Sequence, residues 1–302
     1  MDATQSVASP PTRSLNKGYA IALTGILFWS TTAIFISYLL EHYTIAPLTL
    51  AFWRDLFASA ALAGTLYFAR RDLLRIERHH RLFLIGYGLS LALMNTLWTY
   101  SVALNGAAIS TVLVYASPAF TAIAARGLFG ERLTRLRIAA IAASMAGCVL
   151  VSGATMPEAW SINAWGIVIG IGSGLGFTLY STLGKFSARR GINSWTATLS
   201  TFAVATCVLF FTQNGDTLFT LGRAIDGWAI LLVLAVVPTL GGFGLYTASL
   251  GYLPAGTANL IATLEPALTA LLAFILLGES FNAAQLIGSL LILGSVVSLR
   301  GS

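Results

Sequence analysis

One carboxylate, Glu265, falls near the centre of a long apolar run and is followed directly by Pro266. A carboxylate surrounded by apolar residues needs a partner, which could be a substrate ammonium, a carried proton or a bound cation; it could equally serve as a neutral hydrogen-bonding structural residue. Other polar groups recur at helical spacing in similar runs. Thr111, Tyr115 and Pro118 are spaced i, i+4, i+7 and share one helix face, as do Asn259, Thr263 and Pro266. Asn95, Trp98 and Thr99 form another such face, and Phe243, Tyr246 and Thr247 a fourth. Taken singly, each of these side chains would serve as well to bond neighbouring helices together. As a set of corresponding stripes they have the pattern of a substrate pathway, to which the expected contributors are Asn95, Trp98, Thr99, Thr111, Tyr115, Phe243, Tyr246, Asn259, Thr263 and Glu265. Pro118 and Pro266 each remove a backbone hydrogen bond, so kinks near mid-helix are expected there, either as hinges or as fixed bends.

Catalytic patterns are missing. The three histidines, His42, His79 and His80, all lie in loops or at the ends of apolar runs, so no intramembrane Ser/His or metal cluster is expected. No G-x-x-x-x-G-K-[ST] phosphate loop occurs, which excludes an ATP-driven pump acting alone. Cys148 and Cys207 fall within apolar runs, where small buried hydrophobes are the default. Neither an enzyme nor a bound cofactor or metal is expected.

The elements that must position these residues are membrane helices. The 302 residues are 57% hydrophobic and 9% charged, with a mean hydropathy of +0.81. Soluble domains carry roughly 25% charged residues, so the solvent here must be lipid. At ~20 residues per span, the length accommodates about ten helices. Ten apolar runs are placed near 18–40, 46–69, 82–103, 107–128, 135–153, 163–185, 194–213, 227–249, 255–277 and 282–299. Residues 1–17 read as a disordered cytoplasmic tail. The net charge of +6 does not indicate nucleic acid, because the basic residues lie between the apolar runs rather than on one soluble face.

The chain is duplicated. Tyr115-Ala116-Ser117-Pro118 leads into Gly130-Glu131, and Thr263-Leu264-Glu265-Pro266 leads into Gly278-Glu279; a gapless shift of 148 residues carries Pro118 onto Pro266 and Glu131 onto Glu279. The same shift superposes Ala119, Thr121, Ala122, Ala125 and Leu128 on Ala267, Thr269, Ala270, Ala273 and Leu276. Two repeats of five helices are expected, over 18–153 and 154–302. An odd number of crossings turns the second repeat upside down relative to the first. The charges agree: Arg70, Arg71, Arg75, Arg78 and Arg81, then Arg132, Arg135 and Arg137, then Lys185, Arg189 and Arg190 occupy the even-numbered loops, while the odd-numbered loops are nearly bare. Even loops and both termini are therefore expected in the cytoplasm. Glu131 and Glu279 are expected to bond backbone groups of the following helix near the interface. Gly166, Gly170 and Gly174 offer a face for close helix approach. Arg54 and Asp55 are adjacent and point different ways, so they are not expected to pair, and Arg54 is expected to snorkel outward.

The duplicated Pro and Gly-Glu pattern, Pro118 with Gly130-Glu131 and Glu265-Pro266 with Gly278-Glu279, resembles the drug/metabolite transporter superfamily, specifically its EamA-type members. As a whole the chain looks most like the YddG-type bacterial exporters of aromatic amino acids. The resemblance implies an all-α integral membrane protein with ten helices in two inverted repeats around a central cavity. It also implies a secondary inner-membrane exporter of aromatic and other neutral amino acids working by alternating access. Partners would be the small-molecule substrate and the bilayer, with a monomer as the expected unit. Trp29, Trp98, Tyr100, Tyr115, Tyr180 and Tyr246 have the type and depth to contact such substrates. Alternatives are carriage of phosphorylated sugars, nucleotide sugars or cationic drugs, or a membrane enzyme or structural partner that handles lipid carriers. Phosphate would need basic residues at mid-depth, and lipid-carrier chemistry would need loop-borne acids or histidines.

Overall fold

The structure is a computed structural model that describes residues 12–154, 163–277 and 282–299, and these are almost entirely helical. In order the helices are α1 (Thr12–Trp29), α2 (Thr32–Tyr43), α3 (Pro47–Ala69), α4 (Arg81–Val114), α5 (Ser117–Phe129), α6 (Arg135–Val151), α7 (Ala164–Arg189), α8 (Ser194–Phe210), the single turn α9 (Gly215–Leu218), α10 (Ile225–Leu234), α11 (Gly242–Ser249), α12 (Ala255–Ala262), α13 (Leu264–Leu277) and α14 (Ala283–Ser298). Residues 1–11 of the expected tail lie outside the described residues, as do Glu158, Trp160, Gly278, Glu279 and Arg300.

Several of these helices join end to end into longer rods. Among the described residues six helical stretches, joined or single, are long and apolar enough to cross a bilayer: Ser14–Tyr43, Arg78–Gly106, Ile109–Phe129, Ala164–Arg189, Ile225–Ser249 and Ala255–Ile275. α8 and α14 are apolar but shorter. The outer surface displays large apolar side chains such as Phe68, Leu82, Ile123, Phe211 and Leu290, as a lipid-facing surface must. The molecule is a multi-pass membrane protein.

The breaks between joined helices follow from local chemistry. α4 is interrupted at Gly106, whose φ of 76° is a left-handed conformation suited to glycine, and Ser101 and Ser110 bond across the resulting hairpin at 2.8 Å. α5 starts at Ser117 with Pro118 in its first turn, where the missing N–H costs no helical bond. The corresponding break, between α12 and α13, falls at Thr263, three residues before Pro266. Two further breaks were not expected. One separates α1 from α2, where the Ser30 and Thr31 hydroxyls donate to the Leu27 and Phe28 carbonyls at 2.8 Å and compete with the helical ladder. The other is a π-helical stretch, Ala235–Gly241, around Pro238.

The halves before and after residues 155–162 interlock. α4 packs on α7 and α8, α6 on α14, α1 on α11, and α3 on α8. The glycine face of α7 is where α4 crosses: a Cβ at Gly174 or Gly176 would lie 3.0 Å from the Leu113 carbonyl oxygen or the Met94 Cα. α6 and α14 touch through Gly147 and Gly288, each of which would place a Cβ 2.6 Å from the other's carbonyl oxygen. Small residues thus bring the two halves into backbone contact.

Candidate functional site

Between the halves lies a cavity of about 290 Å³. Its wall runs from Glu265 and Tyr115 to Leu40 and Pro47, which flank the turn between α2 and α3. Trp29, Asn95, Trp98, Thr99, Thr111, Tyr115, Phe243 and Glu265 all line it, so two of the stripes read from the sequence, on either side of the Gly106 hairpin, converge on one space. Phe177, Met94 and Thr32 join them. Trp29 packs its ring 4.3 Å from Phe243 and 5.8 Å from Phe177, centroid to centroid, so one side of the cavity is aromatic.

Glu265 stands in the first turn of α13, and the Tyr115 hydroxyl donates to its Oε2 at 2.5 Å. This bond joins the end of α4 in the first half to α13 in the second. Both residues lie at or just after helix breaks, at Tyr115–Ala116 and at Thr263.

Tyr100, Tyr180, Tyr246, Asn259 and Thr263 do not line the cavity. Tyr100 is 48% exposed and faces outward from α4. The other four are fully buried beside the cavity, in a polar and aromatic layer that closes its inner end. Within that layer Tyr180 bonds Thr247 at 2.8 Å, Tyr246 bonds Ser181 at 2.7 Å, and Thr263 accepts from Ser144 at 2.5 Å. Asn259 is the hub: its Oδ1 accepts from Ser117 at 2.9 Å and its Nδ2 donates to Ser181 at 2.8 Å. Trp29 spans the boundary, lining the cavity with one face and lying 5.7 Å from the Tyr246 ring. An Asn259→Ala variant would take the Ser117 hydroxyl's acceptor away, while Ser181 keeps the Phe177 carbonyl and Tyr246, and is expected to lose about 1–3 kcal/mol of stability. Thermal unfolding in detergent measures the loss.

Arg54 and Asp55 require a correction. Arg54 does not snorkel outward: it is 8% exposed and lines the cavity. It also pairs with its neighbour, Nε donating to Asp55 Oδ1 at 3.2 Å, while Asn95 Nδ2 donates to Oδ2 at 3.2 Å. Adjacent Cβ atoms diverge on a helix, but the arginine side chain is long enough to fold back. The other acidic anchor, Glu131, also reaches beyond the following helix. Its Oε1 accepts the Ala255 N–H at 2.9 Å in the opposite half, and its Oε2 pairs with Arg137 at 2.7 Å. Among the described lining residues there is no histidine or cysteine. A group of Glu77, His79 and His80 is spaced to hold a metal ion, but it lies on an exposed turn and lines no part of the cavity.

The chain matches the EamA-like transporter family over residues 16–153 and 164–300. It is 26% identical to an uncharacterized transporter of Archaeoglobus fulgidus, across 94% of this chain and 97% of that one. It is 28% identical to the threonine/homoserine exporter RhtA of Salmonella typhimurium, across 75% of each chain. To a Salmonella typhimurium protein described as "Probable amino-acid metabolite efflux pump" it is 24% identical across 91% of this chain and 92% of the other. A crystal structure of another protein superposes with a TM-score of 0.75 at 20% identity over 93% of this chain and 96% of its own, which shows a shared fold.

Proposed function

We propose, from the premise that this chain belongs to the EamA-like transporter family, that it exports aromatic and other neutral amino acids across the bacterial inner membrane by alternating access. In this reading ten helices in two inverted repeats, 18–153 and 154–302, cross the bilayer, with both termini in the cytoplasm. No ATP, cofactor or metal is needed, and the chain performs no covalent chemistry.

The observation that carries the reading is the cavity between the halves, which combines an aromatic side with one guanidinium and one carboxylate. An amino acid has the matching parts: an apolar body and a compact charged head. Ligand sites for drug-sized molecules run roughly 300–1,000 Å³, so a space of about 290 Å³ suits one small metabolite better than a nucleotide sugar. Phosphate would call for a cluster of cations, and Arg54 stands alone among the described lining residues. The relatives named as amino-acid exporters support the same class.

The cavity reaches toward the turn at Thr44 to Ala46, whereas the arginine-rich stretch from Arg70 to Arg81 lies at the other ends of α3 and α4. With basic loops in the cytoplasm, this reading makes the cavity outward-facing and gives the buried layer of Tyr180, Tyr246 and Asn259 the part of a closed inner gate. The test is uptake of labelled phenylalanine into liposomes carrying the purified protein. Saturable uptake, competed by unlabelled phenylalanine or threonine, is the expected result. Uptake no faster than into empty liposomes for either amino acid would remove the substrate assignment.

A further inference from the structure

Arg54 has more hydrogen-bonding capacity than the protein uses. It sits on α3 and is buried to 8% exposure, yet it forms part of the cavity wall beside Asn95, Trp98 and Thr99. Its only bond to another described side chain goes through Nε, to Asp55. Asp55 is fully buried, and both of its oxygens are occupied, one by Arg54 and the other by Asn95 on α4. The Asp55–Asn95 bond ties α3 to α4 and fixes the edge of the guanidinium that faces the protein. The opposite edge, the two terminal nitrogens, has no acceptor among the described residues.

We infer that Arg54 binds the carboxylate of the transported amino acid through these terminal nitrogens, with Asp55 and Asn95 as positioning residues. The inference rests on the amino-acid reading above and names the group that recognises one end of the substrate. A guanidinium presents its N–H bonds as a rigid planar fork, and the end-on pair matches the two oxygens of a carboxylate. A purely structural arginine at this depth would be expected to spend that pair on the protein, since unpaired buried donors are costly. Here Asp55 takes the single Nε–H, offsets the charge, and leaves the fork free. Among the described lining residues Arg54 is the only cation, so it is the one group there that can meet a carboxylate by charge. A zwitterion adds no net charge to this low-dielectric site.

Four probes built on the same benzyl group test the idea: phenylalanine, phenylacetate, phenethylamine and phenylalanine methyl ester. Binding is read from tryptophan fluorescence of the purified full chain, since Trp29 and Trp98 both line the cavity. Wild type is expected to bind phenylalanine and phenylacetate at least tenfold more tightly than the two probes lacking a free carboxylate. Arg54→Gln should weaken the carboxylate probes about ten- to hundredfold and leave phenethylamine unchanged, with Arg54→Lys recovering part of the loss. Asn95→Ala should weaken the same probes less than Arg54→Gln does, without changing phenethylamine. If Arg54→Gln fails to fold, the wild-type ranking of the four probes still decides.

Equal binding of phenylalanine and its methyl ester, or wild-type affinity in a folded Arg54→Gln protein, overturns the role of Arg54. The amino-acid reading would survive that result if phenylalanine still crosses the liposome membrane. Arg54-dependent binding of phenylacetate with no amino-acid transport would instead keep the carboxylate site and overturn the amino-acid reading. Binding of neither carboxylate probe overturns the role of Arg54, and the amino-acid reading falls with it if neither phenylalanine nor threonine enters the liposomes.

Discussion

Replacing Glu131 with alanine is expected to destabilise the protein by about 3–5 kcal/mol, the range for removing one partner from a buried ion pair. Glu131 follows Gly130, whose φ of 70° ends α5 in a left-handed turn and aims the next residue inward. The Glu131 and Arg137 side chains are only 11% and 10% exposed. Truncating Glu131 leaves the guanidinium of Arg137 with only the Arg132 carbonyl, at 3.4 Å, as an acceptor and strips the Ala255 N–H, at the start of α12, of its side-chain acceptor. Arg137 cannot easily move away, because it lies against Gly256, where even a Cβ would collide with it. Thermal or urea unfolding in detergent measures the loss. The double variant Glu131→Ala/Arg137→Met should recover more than half of it, since removing both charges leaves no uncompensated ion. A single-variant loss below 1 kcal/mol would mean that the pair is solvated and does not hold the halves together.

How much of this was legible in the sequence depended on whether a residue's environment is set locally or by a neighbouring helix. The 148-residue repeat, the apolar runs and the two stripes, Asn95, Trp98 and Thr99 and then Thr111, Tyr115 and Pro118, are local patterns, and the family they resemble is the family that the chain belongs to. The glycine face of α7 was equally readable, because only a close crossing explains small residues at four-residue spacing. Arg54 was not readable. α3 carries apolar residues on nearly every side, so its sequence does not mark which face meets α4, and only the placement of Asn95 turns Asp55 and Arg54 inward. The break at Ser30 and Thr31 was hidden for another reason: hydroxyl residues occur in intact membrane helices as well, and no proline or glycine marks the spot.

The repeat itself explains why only part of the expected set meets the cavity. The shift that relates the halves carries Thr111 onto Asn259 and Tyr115 onto Thr263. In an inverted pair, equivalent residues approach opposite ends of the central pathway. On the proposed inverted arrangement, a structure open at one end can then expose one member of a pair and bury the other, as it does for these two; Asn95 and its equivalent Phe243, by contrast, both line the cavity. Thr111 and Tyr115 line the open cavity, while Asn259 and Thr263 are packed into the closed layer with Ser117, Ser181 and Ser144. A sequence gives both members the same pattern, and the difference between them belongs to the conformation. On the proposed mechanism the roles exchange when the protein opens inward, so cysteine labels at Asn259 and Thr111 report opposite states.

Glu265 breaks this symmetry, because the same shift brings Ser117 to its place, and Ser117 has no charge to carry. The first half therefore supplies a partner, the Tyr115 hydroxyl, instead of a second carboxylate. One acidic group on the pathway is the minimum device for exchanging a proton against a substrate, and it has access to the cavity only from this side. Glu265→Gln is accordingly expected to abolish accumulation driven by a pH gradient while leaving exchange of labelled for unlabelled amino acid at equal pH. The glutamine keeps the shape and an acceptor for Tyr115 but cannot take up and release a proton. For one proton per substrate, each unit of imposed gradient sustains at most about a tenfold concentration ratio, since one unit corresponds to about 1.36 kcal/mol. Wild-type liposomes should approach that ratio and the variant should stop at unity. Tyr115→Phe, which removes the donor and keeps the carboxyl, should retain the drive at a lower rate. If the variant still accumulates substrate up the gradient, Glu265 is a structural acceptor for Tyr115; if exchange at equal pH is lost as well, it is part of the substrate site and not the proton carrier.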